Sequence, residues 1–316
     1  MEYQVIPKSE LEVSRICYGS WQASGWEKSD DSSFTKCVHR ALDAGVNFFD
    51  TAESYGKGHA EALLGKTLKH IRHQVVIASK FSFKNSTPEK IRASIEGSLR
   101  RLQTDYIDLY QHHWPAKNAP LADIIETLSL LKEEGKLRAI GVSNWMEPEW
   151  EEFQDFEKVS SLQPCYNLLW RSVEQTVLPL CRKNNIAILA YSPLAQGILA
   201  GRFQDVKTLP PDPRRQNVLL QPNLSPKISE FIGEMRGIAL KYNRSLSQIA
   251  LRWLLDQPGV TAVVVGATGS EQITENIGAS GWSLDPSDLN TLSELTISFS
   301  EELKPHDTLW GWHPKL

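Results

Sequence analysis

Asp50, Lys80 and His113 each close an apolar run, at 46–50, 75–80 and 107–113, and Tyr55 follows five residues after the first of them. Each run reads as a buried strand bounded by turn residues or a helical pattern. Packing alone gives no reason for three successive strands to end on an ionisable group. In a parallel barrel the last inward residue of a strand points into the mouth where ligands bind. Counting back by twos puts Asp50, Phe48 and Val46 on one face, then Lys80, Ala78 and Val76, then His113, Gln111 and Leu109. A carboxylate, an ammonium, an imidazole and a loop phenol are thus expected around one cavity.

Such a set suits a carbonyl about to receive a hydride, whose oxygen gains charge and needs a proton donor and a polarising hydrogen bond. A free tyrosine, with a pKa of ~10, is a poor match for neutral pH. A lysine ~5 Å away at an effective dielectric of ~20 favours the phenolate by roughly 3 kcal/mol, about two pKa units. Lys80 is expected to lower the Tyr55 pKa in this way, with Asp50 keeping the amine charged and His113 orienting the carbonyl. Taken singly, Asp50 and Lys80 also read as a structural salt bridge, His113 as a core histidine and Tyr55 as a loop aromatic. Their order at strand ends favours the chemical reading. His112, by parity, faces the helices.

These groups need a scaffold that lines up strand ends. After a hairpin over 3–15, strand-like segments fall near 16–19, 46–50, 75–80, 106–113, 137–142, 161–165, 186–191 and 261–265. Helical patterns lie near 31–44, 59–70, 88–102, 121–134, 147–158, 175–184, 227–255 and 270–279. Eight strand–helix units predict an α/β fold, a (β/α)8 TIM barrel with an N-terminal β-hairpin and long active-site loops, spanning 1–316 as one domain. An open doubly wound sheet is the other arrangement, but no Gly-rich fingerprint follows the first strand. Thr87-Pro88 opens one helix, and Gly45, Gly135 and Gly259 stand where helices must stop. The segment 192–225 is too long and too rich in Gly and Pro for an ordinary connection, and it leaves the seventh strand at the barrel mouth. The tail from 301 reads as irregular.

The 316 residues are 41% hydrophobic, enough for a large core. A net charge of -4 without basic runs argues against nucleic acid as a partner. Cys17, Cys37, Cys165 and Cys181 lack metal or redox spacing and read as reduced thiols of a cytosolic protein. No signal peptide and no membrane-spanning stretch stand out, so the expected location is cytoplasmic.

Gly45-Val46-Asn47-Phe48-Phe49-Asp50-Thr51-Ala52-Glu53-Ser54-Tyr55-Gly56, continued by Glu61-Ala62-Leu63-Leu64-Gly65, resembles the first signature of the aldo-keto reductase family. Leu109-Tyr110-Gln111-His112-His113-Trp114-Pro115 is similar to that family's histidine strand. Gly141-Val142-Ser143-Asn144, Gln163 with Tyr166-Asn167, and Ala190-Tyr191-Ser192-Pro193-Leu194 follow in family order. The resemblance covers nearly the whole chain. It implies a nicotinamide-dependent carbonyl reductase without metal or flavin, acting on a small-molecule aldehyde or ketone. By the same resemblance Ser143, Asn144 and Gln163 hold the carboxamide, and Tyr191 stacks on the nicotinamide. Ser192, Leu194, Gln196 and Arg202 line the pyrophosphate, and Ser20 and Trp21 lie beside the ribose. Trp21 and Trp114 are candidate substrate walls, with Trp26, Trp145, Trp310 and Trp312 as further aromatics.

The adenosine segment departs from the pattern. Gly266 and Gln272 stand where many members carry cations for a 2'-phosphate, while Glu275 and Asn276 fit the adenine contact. Charge-assisted bonds are roughly twice as strong as neutral ones, so their loss matters. Arg214 or Arg215 on the long loop is expected to compensate. NADPH is the favoured cofactor and NADH the second. A nucleotide-binding redox sensor on the same fold is the alternative function, and an aldolase-type Schiff base on Lys80 a third.

Overall fold

The apolar runs are strands, and they close on themselves. In the computed structural model, which describes residues 1–25, 30–116, 119–203, 213–303 and 308–309, β1 (Tyr3–Val5) and β2 (Glu12–Ser14) form the expected antiparallel hairpin. The next eight strands are β3 (Ile16–Gly19), β4 (Phe48–Asp50), β5 (Val76–Phe81), β6 (Ile107–His112), β7 (Leu137–Ser143), β8 (Ser161–Gln163), β9 (Ala187–Tyr191) and β10 (Val260–Val265). They pair in sequence order as a parallel barrel that closes where β10 meets β3. The fold is the (β/α)8 barrel expected.

Outside it lie α1 (Asp31–Asp43), α2 (His59–Leu68), α3 (Pro88–Leu102), α4 (Leu121–Glu133), α5 (Glu147–Glu152) and α6 (Val177–Lys183). After them come α7 (Ser225–Lys241), α8 (Leu246–Leu255), α9 (Ser270–Ile277) and α10 (Pro286–Leu303). Alternation along the strands builds two apolar layers. Cys17, Phe48, Ala78, Leu109, Leu189 and Val264 fill the barrel interior. Their neighbours Tyr18, Phe49, Ile77, Tyr110, Ile188 and Val263 pack outward against the helices. Ile6, Leu11 and Val13 of the hairpin join the interior cluster, and Ser14 bonds Asn47 just ahead of β4. The hairpin therefore closes the end of the barrel where strands begin.

Several expectations need correction. Val46 precedes β4 and packs in the outer layer, not on the inward face with Phe48. The helix expected over 227–255 is two helices. Asn243 takes a left-handed φ of 50°, and Ser245 and Gln248 form a capping box that starts α8. The helix expected over 147–158 stops at Glu152, with a short 3-10 turn at Phe156–Lys158. Helix α10 was not anticipated, although Asp285-Pro286 is the kind of start that opens α3. The start of the tail, 301–303, is the last turn of α10, and Thr308 and Leu309 are buried. Trp26, Trp310 and Trp312 lie outside the described residues. Among those described, no helix is long and apolar enough to cross a membrane.

Candidate active site

Register brings the ionisable strand ends together. Asp50 pairs with Gly19 of β3 and Ala78 of β5, and Lys80 pairs with Gln111 of β6. Even-numbered positions of β4 and β5 face inward, so Asp50 and Lys80 meet inside the barrel. Lys80 Nζ donates to Asp50 Oδ1 at 2.5 Å and to the Thr51 carbonyl at 2.9 Å, and it reaches the Tyr55 hydroxyl at 3.4 Å. Those three acceptors match the three N–H bonds of an ammonium. The other Asp50 oxygen accepts from Gln163 Nε2 at 2.9 Å, with the Gln111 amide at 3.5 Å. Charges buried this deeply are tolerable only when so fully bonded.

Tyr55 reaches the pair from the loop beyond β4. Gly56, Lys57 and Gly58 all take left-handed φ values of 57°, 57° and 91°, which bends the chain sharply after the phenol. A side chain on Gly56 would sit 3.1 Å from the Ala23 carbonyl, so glycine is needed there for space as well as for φ. His113 follows β6, and its ring lies edge-on to that of Tyr55 with centroids 5.7 Å apart. Its Nδ1 is 3.4 Å from Ser54 Oγ, while Asn144 Nδ2 donates to its carbonyl at 3.0 Å. His112 points outward as parity requires, stacked on Phe81 and bonded to Trp145 and Ser86.

The electrostatics correct one expectation. Burial pushes the Tyr55 phenol above its ordinary pKa, and the attraction of Lys80 offsets that only in part, with Asp50 opposing it. The phenol is thus not depressed as predicted. Desolvation outweighs the ammonium in a site this closed. Burial also pulls the Lys80 ammonium down, but Asp50 and Tyr55 together carry it above the usual lysine value. His113 lies well below the usual imidazole value, through burial first and then the charge of Lys80. At neutral pH the site holds a neutral phenol, a charged amine and a neutral imidazole.

A cavity of about 640 Å³ opens above these groups. Of the residues predicted to bind cofactor or substrate, its wall includes Trp21, Asp50, Trp114, Ser143, Asn144, Gln163, Tyr191, Ser192, Leu194, Gln196, Arg202, Gly266, Gln272 and Asn276. Ser20 and Glu275 are not in the wall. The Ser20 amide donates to the Asp50 carbonyl at 2.9 Å, and Glu275 faces Arg202 at 3.6 Å. Tyr191 donates to Asn144 Oδ1 at 2.8 Å, Asn144 Nδ2 contacts Ser143 Oγ at 3.1 Å, and Ser143 donates to the Gln163 carbonyl at 2.8 Å. This chain of bonds fixes four wall residues against one another.

At the far end, Gln272 is tied to Thr268, accepting from its amide at 3.0 Å. Of the two loop arginines, Arg214 lines the cavity, its guanidinium 4.9 Å from the centroid of the Phe203 ring. Asn217 Nδ2 donates to Gln196 Oε1 at 3.0 Å, while Gln196 Nε2 is buried without a partner. Gln22, Ser24, Lys57 and Phe83 also line the cavity. None was singled out from sequence. Each is a single polar or aromatic residue on a loop, where periodicity carries no signal. Among the described residues no His, Cys, Asp and Glu cluster could hold a metal ion.

A model of the Aldo/keto reductase family matches residues 15–297. The aldo-keto reductase YhdN of Bacillus subtilis (strain 168) is 35% identical over 94% of this chain and 95% of its own length. The NADH-specific methylglyoxal reductase of Escherichia coli (strain K12) is 32% identical over 91% of this chain and 96% of its own. The solved structure of the glycerol dehydrogenase AKR11B4 from Gluconobacter oxydans superposes with a TM-score of 0.86 at 31% identity, covering 94% of this chain and 95% of that one.

Proposed function

This chain belongs to the aldo/keto reductase family, and we propose that it reduces aldehydes or ketones to alcohols with a nicotinamide dinucleotide, Tyr55 giving the proton. The observation that carries the proposal is that Tyr55 and His113 meet in one cavity wall, with Lys80, held by Asp50, reaching the Tyr55 hydroxyl from behind that wall. A reduced dinucleotide, when bound, supplies the hydride. The carbonyl carbon takes that hydride while its oxygen takes the hydroxyl proton of Tyr55. The phenolate left behind faces the Lys80 ammonium, which is where its charge is best met.

The raised Tyr55 pKa supports this role, because it keeps the phenol in its donating form until the oxygen becomes basic. His113, held neutral, has an N–H to orient the carbonyl but not a spare proton to give. Pairing with Asp50 keeps Lys80 protonated, which disfavours Schiff-base chemistry on that amine.

The cavity suits the dinucleotide. Both N–H bonds of Asn144 go to His113 and Ser143, so Asn144 would meet a carboxamide through the remaining lone pair of Oδ1. Gln163 has one N–H committed to Asp50 and the rest of its amide to offer. Tyr191, pinned through its hydroxyl, would present its ring to the nicotinamide. Gln196 offers a buried, unmet amide N–H toward phosphate. NADPH is the favoured form, because Arg202 and Arg214 bring guanidinium groups to the wall. NADH is the second, given the neutral Gly266 and Gln272 and the NADH-specific relative.

Stopped-flow oxidation of bound NADPH or NADH by a panel of aldehydes tests the proposal. Turnover above background that is absent in Tyr55→Phe supports it. Tight nucleotide binding with no carbonyl-dependent oxidation would favour a sensor instead.

A further inference from the structure

We propose that Gln22 is a binding residue for the dinucleotide, bonding the ribose beside Gly266 through the 2'-hydroxyl of NADH or the 2'-phosphate of NADPH; this rests on the functional reading above. Gln22 lies in the 3-10 turn Trp21–Ser24 that follows β3, and it lines the cavity together with Gly266 and Gln272. Its amide is pressed so closely to Gly266 that any side chain at that position would collide with it. Gln22 thus occupies the place that a residue reaching in from the end of β10 would otherwise take.

The amide is also unmet. Its Oε1 is buried with no hydrogen bond, and neither end has a partner among the described residues. A carboxamide can donate two hydrogen bonds and accept two, and leaving a buried one empty costs stability. Coverage of Gly266 would be served as well by methionine, which carries no such penalty. What glutamine adds is an acceptor for a ribose hydroxyl and a donor for a phosphate oxygen. Gln196, on the same cavity wall, likewise has a buried Nε2 without a partner. Two unsatisfied amides lining one cavity are suited to a single polar ligand. Because a carboxamide both donates and accepts, Gln22 serves a 2'-hydroxyl and a 2'-phosphate oxygen alike.

The test is Gln22→Met, read by calorimetric titration with NADP+ and with NAD+ and by thermal unfolding of the ligand-free protein. Affinity for both nucleotides should fall roughly tenfold, the scale of one hydrogen bond, and by the same factor within about twofold. The unfolding temperature should hold or rise, because an unmet amide has been removed. Gln22→Glu, of the same size, should bind more weakly still, since a carboxylate would face phosphates. Unchanged affinity in Gln22→Met, a loss confined to NADP+, or a loss that comes with a lower unfolding temperature would overturn the assignment. Wild-type protein that binds neither nucleotide would overturn the functional reading itself.

Discussion

Lys80 and Tyr55 are coupled twice: the ammonium reaches the hydroxyl at 3.4 Å and lies 5.0 Å from the centre of the ring. The first contact meets charge as it forms on oxygen, and the second holds the ring against the same cation. In the resting state neither contact overcomes burial, and the phenol stays protonated. In the proposed reaction, the influence of the amine is therefore felt as the proton leaves rather than before.

On the proposed mechanism, Tyr55→Phe removes the proton source and little else. Carbonyl reduction should fall by ~10²–10⁴-fold, the usual contribution of a positioned acid. Dinucleotide affinity should stay within about twofold of wild type. Steady-state kinetics beside fluorescence titration will check both, and a parallel loss of binding would contradict the role given to the phenol.

Lys80→Met strands the Asp50 carboxylate inside the barrel, so unfolding should become easier by ~3–5 kcal/mol. Adding Asp50→Asn should restore much of that stability, because no buried charge remains, yet turnover should stay absent. Urea unfolding of the two variants separates the structural share of the ion pair from its chemical share. A double variant no more stable than the single one would show that the pair is not an independent unit.

His113 should make acid harmful. Its folded pKa is depressed, so the unfolded chain binds the proton first and stability rises with pH through that range. The full contribution is present above ~6.5, the ordinary histidine value, and is lost as pH falls toward the lower folded value. Wild type should accordingly lose unfolding temperature more steeply than His113→Asn below that pH. Parallel curves would refute the linkage. The reduction rate should also show no inflection near the ordinary histidine value.

Asn217→Ala cuts the bond to Gln196 and the turn that Asn217 caps through the Leu219 amide at 3.0 Å. Two neutral hydrogen bonds of this kind are worth ~1 kcal/mol each. Dinucleotide affinity should drop roughly five- to tenfold through misplacement of Gln196, with turnover at saturation nearly unchanged. A fall in the saturated rate alone would place Asn217 in the chemistry instead.

Much of this was legible because strand alternation is a strict rule. Parity alone separated His112, bonded to Trp145, from His113, beside Tyr55. Eight strands were found within a few residues of their observed limits, since each is a short apolar run between turn residues. The split between α7 and α8 was missed because the apolar pattern continues across it, and only the capping pair Ser245 and Gln248 marks the break. The pKa of Tyr55 was misjudged for a different reason. Its neighbour could be named from sequence, but the depth at which water is excluded could not. Gln22 belongs to a third kind: its partner Gly266 is distant in the chain, and an absent side chain leaves no pattern to read.

The hairpin stoppers one end of the cylinder with Ile6, Leu11 and Val13, so a guest of the cavity must come in from the other end. On the proposed function, whichever of the nucleotide and the carbonyl rests deeper would board first and depart last.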